Sequence, residues 1–287
     1  MTEPDPATSD RDAAAATART GEPDRYLAAL LAPPPQRAAL LALAAFAAEL
    51  ARIPGLVVRE PLMGEIRLQW WRDALELAEG QRTGHAVADA VRAAARTYDL
   101  PPGLLHGLID ARGLELRRAP FAGDRDLHDF LWQAEGALFA LACRVVGLAD
   151  DAAVEAACAA SGRAYGMARL LLGLPRSLAL GRIPLAQTQI AMAGLTAEDV
   201  LAATAGEAAT RLLASYHAQI RGNLASARQF AGRLSRRFRV AFLPLALVEP
   251  YVRALEAPGI ASLREEVRIA PLTRVCRIAG AHLFGRL

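Results

Sequence analysis

The sequence predicts an all-α protein built as a single helical domain, and three observations carry that expectation. Alanine and leucine dominate an apolar fraction of 53%, whereas aromatic residues make up 6%. Ala and Leu are the strongest helix formers, while strands favour β-branched and aromatic residues. Apolar residues also recur at helical spacing from Asp24 onward, interrupted by short Pro/Gly breaks. Finally, no low-complexity linker separates two cores and no fixed-period repeat occurs, so the 287 residues are expected to bury one sizeable core.

Residues 1–23 hold Asp5, Asp10, Asp12 and Glu22 among Ala, Thr and Pro. They lack the basic start and apolar stretch of a secretory signal, and their acids argue against a transit peptide. The expectation is a disordered lead-in, with the folded domain spanning residues 24–287. A first helix runs over Asp24–Leu31 and ends at Pro33-Pro34-Pro35; Gln36–Arg52 follows and stops at Pro54-Gly55. Pro61–Glu79 then sets Arg67, Trp70, Trp71, Ala74, Leu75 and Ala78 on one stripe. His85–Asp99 is the next helix, and Pro101-Pro102 opens another that reaches Arg118. Asp126–Gly147 and Asp151–Leu174 are long and mostly apolar, with Asp150-Asp151 capping the second. Thr196 caps a helix whose first turn holds Glu198 and Asp199; Leu201–Leu234, Phe238–Leu255 and Pro271–Leu283 complete the chain.

No uncharged apolar run reaches the roughly 18–20 residues that span a bilayer, so the protein is expected to be cytoplasmic, or peripheral at the inner face of a membrane. All 33 fixed cations are arginines, a usage read as coding bias in a chain of bacterial character. Cys143, Cys158 and Cys276 are odd in number, widely spaced and set among apolar residues, which suits buried thiols. His85, His106, His128, His217 and His282 never fall into a ligand spacing. Asp73 and Glu76 are i and i+3 on one helix but oppose its apolar stripe, so they belong in water; Glu265-Glu266 is likewise a solvated face. Trp70 and Trp71 read as core. Arg228, Arg233, Arg236, Arg237 and Arg239 form the densest basic stretch, suited to an anionic membrane surface or to an ordinary exposed helix end. No nucleic-acid-binding signature accompanies it, so no nucleic-acid partner is expected.

Several stretches, in their order, resemble the squalene/phytoene synthase family from about Asp24 to the end of the chain. They are Arg25-Tyr26-Leu27-Ala28, Leu30-Leu31-Ala32-Pro33, Arg37, Ala42–Phe46, Arg67-Leu68-Gln69-Trp70-Trp71-Arg72 and Leu108-Ile109-Asp110. Gly181-Arg182-Ile183-Pro184-Leu185 and Phe242-Leu243-Pro244 continue the series. The resemblance implies an isoprenoid-synthase fold. In enzymes of that family two aspartate-rich motifs hold Mg²⁺ against prenyl diphosphates, since this hard cation needs carboxylate oxygens. Aspartates at i and i+4 share a helical face, so both reach one cavity.

The matching positions carry no acid here. Ala51, Arg52 and Gly55 stand at the first motif, with Glu49 the acid nearby, and Gly173 and Ser177 stand at the second. No Asp or Glu occurs between Arg163 and Arg182. No catalytic and no metal-binding residue is therefore assigned, and no cofactor is expected. Glu49, Arg67, Trp70, Tyr165, Arg169 and Arg182 are the candidate cavity-lining groups.

The same losses resemble a branch of the family, the complex I assembly factor 6 group. Phe46-Ala47-Ala48-Glu49-Leu50-Ala51, Met63-Gly64-Glu65-Ile66 leading into Arg67–Trp71, and Ala164-Tyr165-Gly166 with Pro175 carry that similarity. It implies a non-catalytic role in maturing respiratory complex I, with its subunits as partners. Two other readings stay open: a surviving head-to-head prenyl diphosphate transferase using Mg²⁺, and a module that binds an isoprenoid or quinone-like lipid. Carboxylates arriving from elsewhere, such as Asp73 or Asp110, would favour the enzyme.

Overall fold

The computed structural model describes residues 6–56, 60–116, 119–148, 151–203 and 206–287, and among them the regular elements are all helices, joined by turns and loops that include one isolated bridge between Phe121 and Ala186. The first helix is a departure from expectation. Residues 1–5 lie outside the described ones, but α1 (Pro6–Gly21) is a helix and not a disordered lead-in. Ala14, Ala18 and Gly21 form a small-residue face at i, i+4 and i+7, and it lies against α3 (Pro34–Leu56). The approach is so close that a Cβ on Gly21 would stand 2.5 Å from that of Ala48. Of the acids that suggested disorder, Asp10 pairs with Arg82 at 2.6 Å, Asp12 is exposed and Glu22 is buried, while Asp5 lies outside the described residues.

α2 (Pro23–Leu30) follows with its proline in the first turn, where the missing N–H costs nothing. α3 keeps Ala39 to Ala48 buried without a break and forms the centre of the bundle. It runs past its expected stop at Pro54, because a proline in the last turn removes only one terminal hydrogen bond. By length and composition α3 could cross a membrane, with a mean hydropathy of 1.6 over its best window. That window is 72% buried by other helices, so its apolar surface is already used.

α4 (Pro61–Glu76) corrects the predicted stripe. Gly64, Leu68, Trp71 and Ala74 face inward, while Arg67 and Ala78 are exposed and Trp70 is 40% exposed. Asp73 and Glu76 are in solvent as expected. The helix has two apolar faces, because Leu62, Ile66 and Trp70 form a second one directed outward. α5 (Ala86–Thr97) and α6 (Pro102–Glu115) pack back on α3; the predicted end at Arg118 lies outside the described residues.

The long helix expected over residues 126–147 consists of α7 (Asp124–Leu131), a π turn over Trp132–Gly136 and α8 (Ala137–Val146), closed by Gly147 at φ 79°. The π turn lies against α9 (Ala152–Leu172), whose Gly162 and Gly166 allow the approach. A Cβ at Gly162 would be 2.6 Å from the Gly136 nitrogen, and one at Gly166 would be 2.9 Å from Glu135 Cγ. Asp151 caps α9 by accepting from the Ala153 and Val154 amides, while Asp150 is outside the described residues.

Gly173 ends α9, and Pro175 opens the short α10 (Leu174–Ala179). α11 (Gln187–Met192) and α12 (Ala197–Leu201) follow, the latter with a complete capping box between Thr196 and Asp199. α13 (Glu207–Ala231) packs along α9. After α14 (Arg236–Arg239) the apolar run Val240–Leu247 is a buried 3₁₀ stretch, then come α15 (Val248–Glu256), a 3₁₀ turn at Gly259–Leu263 and α16 (Pro271–Phe284). Cys143 and Cys158 are buried with their Sγ atoms 3.8 Å apart, whereas Cys276, expected to be buried, is exposed on α16.

Candidate functional site

A cleft of about 700 Å³ opens between the end of α3, the end of α6, α7 with its π turn, and the α9–α10 junction. Phe121, Phe130, Leu131, Leu170 and Ile183 supply its apolar wall. The bridge between Phe121 and Ala186 fixes one rim: the Phe121 amide donates to Leu185 O at 3.0 Å, and the Gln187 amide donates to Phe121 O at 2.8 Å. Tyr216 supports that strip from below, its hydroxyl oxygen accepting from the Ala186 amide at 2.9 Å. Burial pushes the Tyr216 hydroxyl up to about 12.

Ala51, Gly173 and Ser177 line this cleft together with Arg169 and Arg182. The segments at which the two acidic motifs were sought therefore meet across it. What they present is methyl, backbone and one hydroxyl. Arginines have moved in against the α3 end: Arg182 Nη2 donates to Pro54 O at 3.1 Å, and a Cβ on Gly55 would lie 3.1 Å from Arg176 Nη2. Arg52 turns outward and pairs with Glu49 at 3.3 Å.

Four of the expected lining groups lie elsewhere. Glu49 is engaged with Arg52 and does not face the cleft. Arg67 and Trp70 sit on the outer side of α4, one position out of register with the buried stripe. Tyr165 is fully buried behind the cleft and lines a second hollow of about 640 Å³, which it shares with Arg169, Tyr251 and Arg274. The carboxylates proposed as substitutes do not converge on the cleft either. Asp73 accepts from Gln69 at 2.8 Å and Asp110 pairs with Arg72 at 2.7 Å, both at the surface. Acids that do line the cleft, Glu115, Asp126, Asp129 and Glu135, come from α6, α7 and the π turn. Glu115 is paired with Arg112. Among the described residues, no three His, Cys, Asp or Glu side chains come together as a metal site would require.

Behind the cleft lies a charge network that the sequence did not reveal. Arg169 grips Glu22 with two bonds, at 2.6 and 2.8 Å, and reaches Glu135 at 3.3 Å. Arg25 bridges the same two carboxylates, at 3.3 Å to Glu22 and 2.8 Å to Glu135, while lying over the Tyr165 ring at 4.9 Å. Next to them Asp24 accepts from Tyr165 at 2.8 Å and Tyr251 at 2.5 Å, and pairs with Arg274 at 2.6 Å. Glu22, Asp24 and Glu135 are thus matched by Arg25, Arg169 and Arg274, and the charges of these six side chains sum to zero. The π turn and the two glycines of α9 are what bring Glu135 within reach.

Burial alone would raise the Glu22 carboxyl, but Arg169 and Arg25 together hold it below its ordinary value. Burial, with Asp24 beside it, drives the Tyr165 hydroxyl well up. Burial and the same carboxylate raise Tyr251.

The fold family implies Mg²⁺, which favours an octahedron of hard oxygens drawn from carboxylates and phosphates. Ala51, Arg52, Gly55, Gly173 and Ser177 offer no carboxylate, and Arg176 and Arg182 put positive charge beside the same positions. These residues do not fit the ion, and no step is derived through it.

Comparison with known proteins agrees with this architecture. The structure resembles the crystal structure of squalene synthase HpnC from Alicyclobacillus acidocaldarius, with a TM-score of 0.75 and 20% identity over 88% of this chain and 95% of that one. It also resembles a dehydrosqualene synthase solved in complex with ligand, with a TM-score of 0.82 and 15% identity over 98% and 99% of the two chains. Relatives named "NADH dehydrogenase (ubiquinone) complex I, assembly factor 6" match at 26% identity in Bos taurus, over 80% of this chain and 69% of the relative. The Rattus norvegicus protein of that name also matches at 26%, over 87% and 76%. The family model described as "Squalene/phytoene synthase" matches residues 18–274, nearly the whole chain. This helical protein therefore belongs to the squalene/phytoene synthase family.

Proposed function

We propose that this chain is a non-catalytic member of its family that serves the assembly of respiratory complex I, the NADH dehydrogenase. The observation that carries the non-catalytic half is the face-to-face meeting of Ala51 with Gly173 and Ser177 in the cleft, with Arg182 lining it too. Ionising a prenyl diphosphate requires the leaving group's charge to be neutralised by metal, and that wall offers no carboxylate to hold one. The assembly half is supported by the relatives in Bos taurus and Rattus norvegicus, whose names state that role.

Two assays test the two halves separately. Purified protein incubated with farnesyl or geranylgeranyl diphosphate and Mg²⁺ is expected to yield no head-to-head product above a heat-killed control. A product would restore the prenyltransferase reading. Deletion of the gene is expected to lower the amount of assembled NADH dehydrogenase, and unchanged assembly would remove the complex I role.

A second reading is favoured by the cleft itself. With about 700 Å³ and an apolar wall it has the size and lining of a site for an isoprenoid or quinone-like chain. Binding of farnesol, lowered by filling the cleft with Ala51→Trp, would support it; no saturable binding would end it.

A further inference from the structure

α16 has two opposed faces. Its inner face is anchored: Ile278 and Ala281 are buried against α2 and the Val240–Leu247 stretch, and Arg274 reaches in to Asp24 at 2.6 Å. Its outer face carries Leu272, Val275, Cys276, Ala279 and Leu283, the i, i+3, i+4, i+7, i+11 spacing of a continuous stripe. Leu272 is 71% exposed, Leu283 61% and the adjoining Phe284 78%, so the largest side chains of this end have no partner within the chain. A contiguous row of this kind differs from the scattered exposed leucines of an ordinary surface.

The surroundings say what can cover it. From Val267 to Leu287 the chain has four arginines and no Asp or Glu; Arg268 pairs with Glu266 just before this stretch at 2.6 Å and Arg274 with Asp24, so Arg277 and Arg286 carry its outward charge. The adjoining segment from Arg228 to Arg239 has five arginines and again no acid. The fold brings the two segments together, since Arg236 Nε donates to His282 Nε2 at 3.0 Å and Arg239 lies beside Gly285. Burial, with Arg236 and Arg239 close by, lowers His282, so the ring is neutral and accepts that bond at pH 7. The outward stripe of α4 makes a contrast, because Glu65, Asp73 and Glu76 stand beside it. Charge separates the two surfaces.

We infer that α16 docks flat on an anionic lipid bilayer, with Leu272, Val275, Leu283 and Phe284 entering the acyl boundary and Arg236, Arg237, Arg277 and Arg286 meeting the headgroups. An interfacial helix binds through buried apolar area plus attraction between arginines and acidic lipid; here the exposed apolar row and the arginines that flank it occur together at this end of the molecule. The orientation leaves the 700 Å³ cleft and the buried charge network intact, since neither uses the outer side of α16. The inference goes beyond the assembly role and does not depend on it.

The test is co-sedimentation of the full chain with phosphatidylcholine vesicles, with and without phosphatidylglycerol. Binding is expected only with phosphatidylglycerol present, and is expected to weaken with added salt. Leu283→Glu with Phe284→Glu should lower the partition coefficient at least about tenfold, and Arg236→Glu with Arg277→Glu should do the same, given roughly fivefold for each arginine near such a surface. Leu283, Phe284 and Arg277 are exposed and Arg236 gives up one bond to His282, and circular dichroism of each variant monitors retention of the fold. Absence of binding to the acidic vesicles, equal binding to both compositions, or wild-type partitioning of both variants would each overturn the inference. So would a concentration-dependent dimer abolished by the Leu283/Phe284 pair, which would assign the face to a second copy. Any of these leaves the complex I reading to its own assay.

Discussion

Replacing Arg169 by methionine is the sharpest perturbation of the buried network. It removes two bonds to Glu22 and one to Glu135, and leaves Arg25 as the single cation between two carboxylates that are 2% and 7% exposed. Breaking one side of a buried ion pair costs about 3–5 kcal/mol. The Arg169 side chain is itself 30% exposed, so water can follow the vacated space from the cleft, and the low end, about 3 kcal/mol, is expected. For a chain of this length that is a fall in Tm of roughly 5 °C. The companion change Glu22→Gln removes the orphaned charge, so the double variant should recover a coupling energy of about 1–3 kcal/mol relative to the sum of the singles. Urea unfolding of wild type, both singles and the double variant measures this. A single-variant loss below about 1 kcal/mol, or strict additivity, would refute the claim that these charges hold each other in place.

Other outcomes follow from the same structure. Because the Glu22 carboxyl is held below its ordinary value of 4.5, its contribution is complete above about pH 4.5 and is lost as the pH falls through the folded value. Urea midpoints between pH 7 and pH 3 should therefore drop more steeply for wild type than for Glu22→Gln. Gly162→Ala, whose Cβ would meet the Gly136 nitrogen at 2.6 Å, should destabilise by about 1–3 kcal/mol, while Gly222→Ala, which meets nothing within 4 Å, should not; thermal melts compare them. Tyr251→Phe deletes a bond to a buried carboxylate and should cost about 1.5–3 kcal/mol by chemical denaturation.

The fold class was legible because it rests on local signals. Alanine-rich periodicity, proline stops and the Thr196–Asp199 cap all act within one or two turns. α1 escaped because its buried face is made of alanine and glycine, which carry little hydrophobic signal, and only the matching alanine face of α3 makes that contact worthwhile. On α4 two apolar faces compete, and periodicity alone cannot decide whether Leu68 or Arg67 points inward. The cleft positions Ala51, Gly173 and Ser177 were found through motif resemblance. The ion network could not be, since Glu22 and Arg169 lie 147 positions apart and a π turn has no sequence signature that would aim Glu135 at them.

The balanced interior charges also constrain how this chain can diverge. A substitution at Glu22, Arg25, Glu135 or Arg169 strands an opposite charge in the bundle, so tolerated changes should arrive as compensating pairs. Descendants would then keep all four, or exchange them together for neutral packing, and single-residue intermediates would be scarce. A salt cluster of this kind works as a ratchet: once closed, it is hard to leave one step at a time.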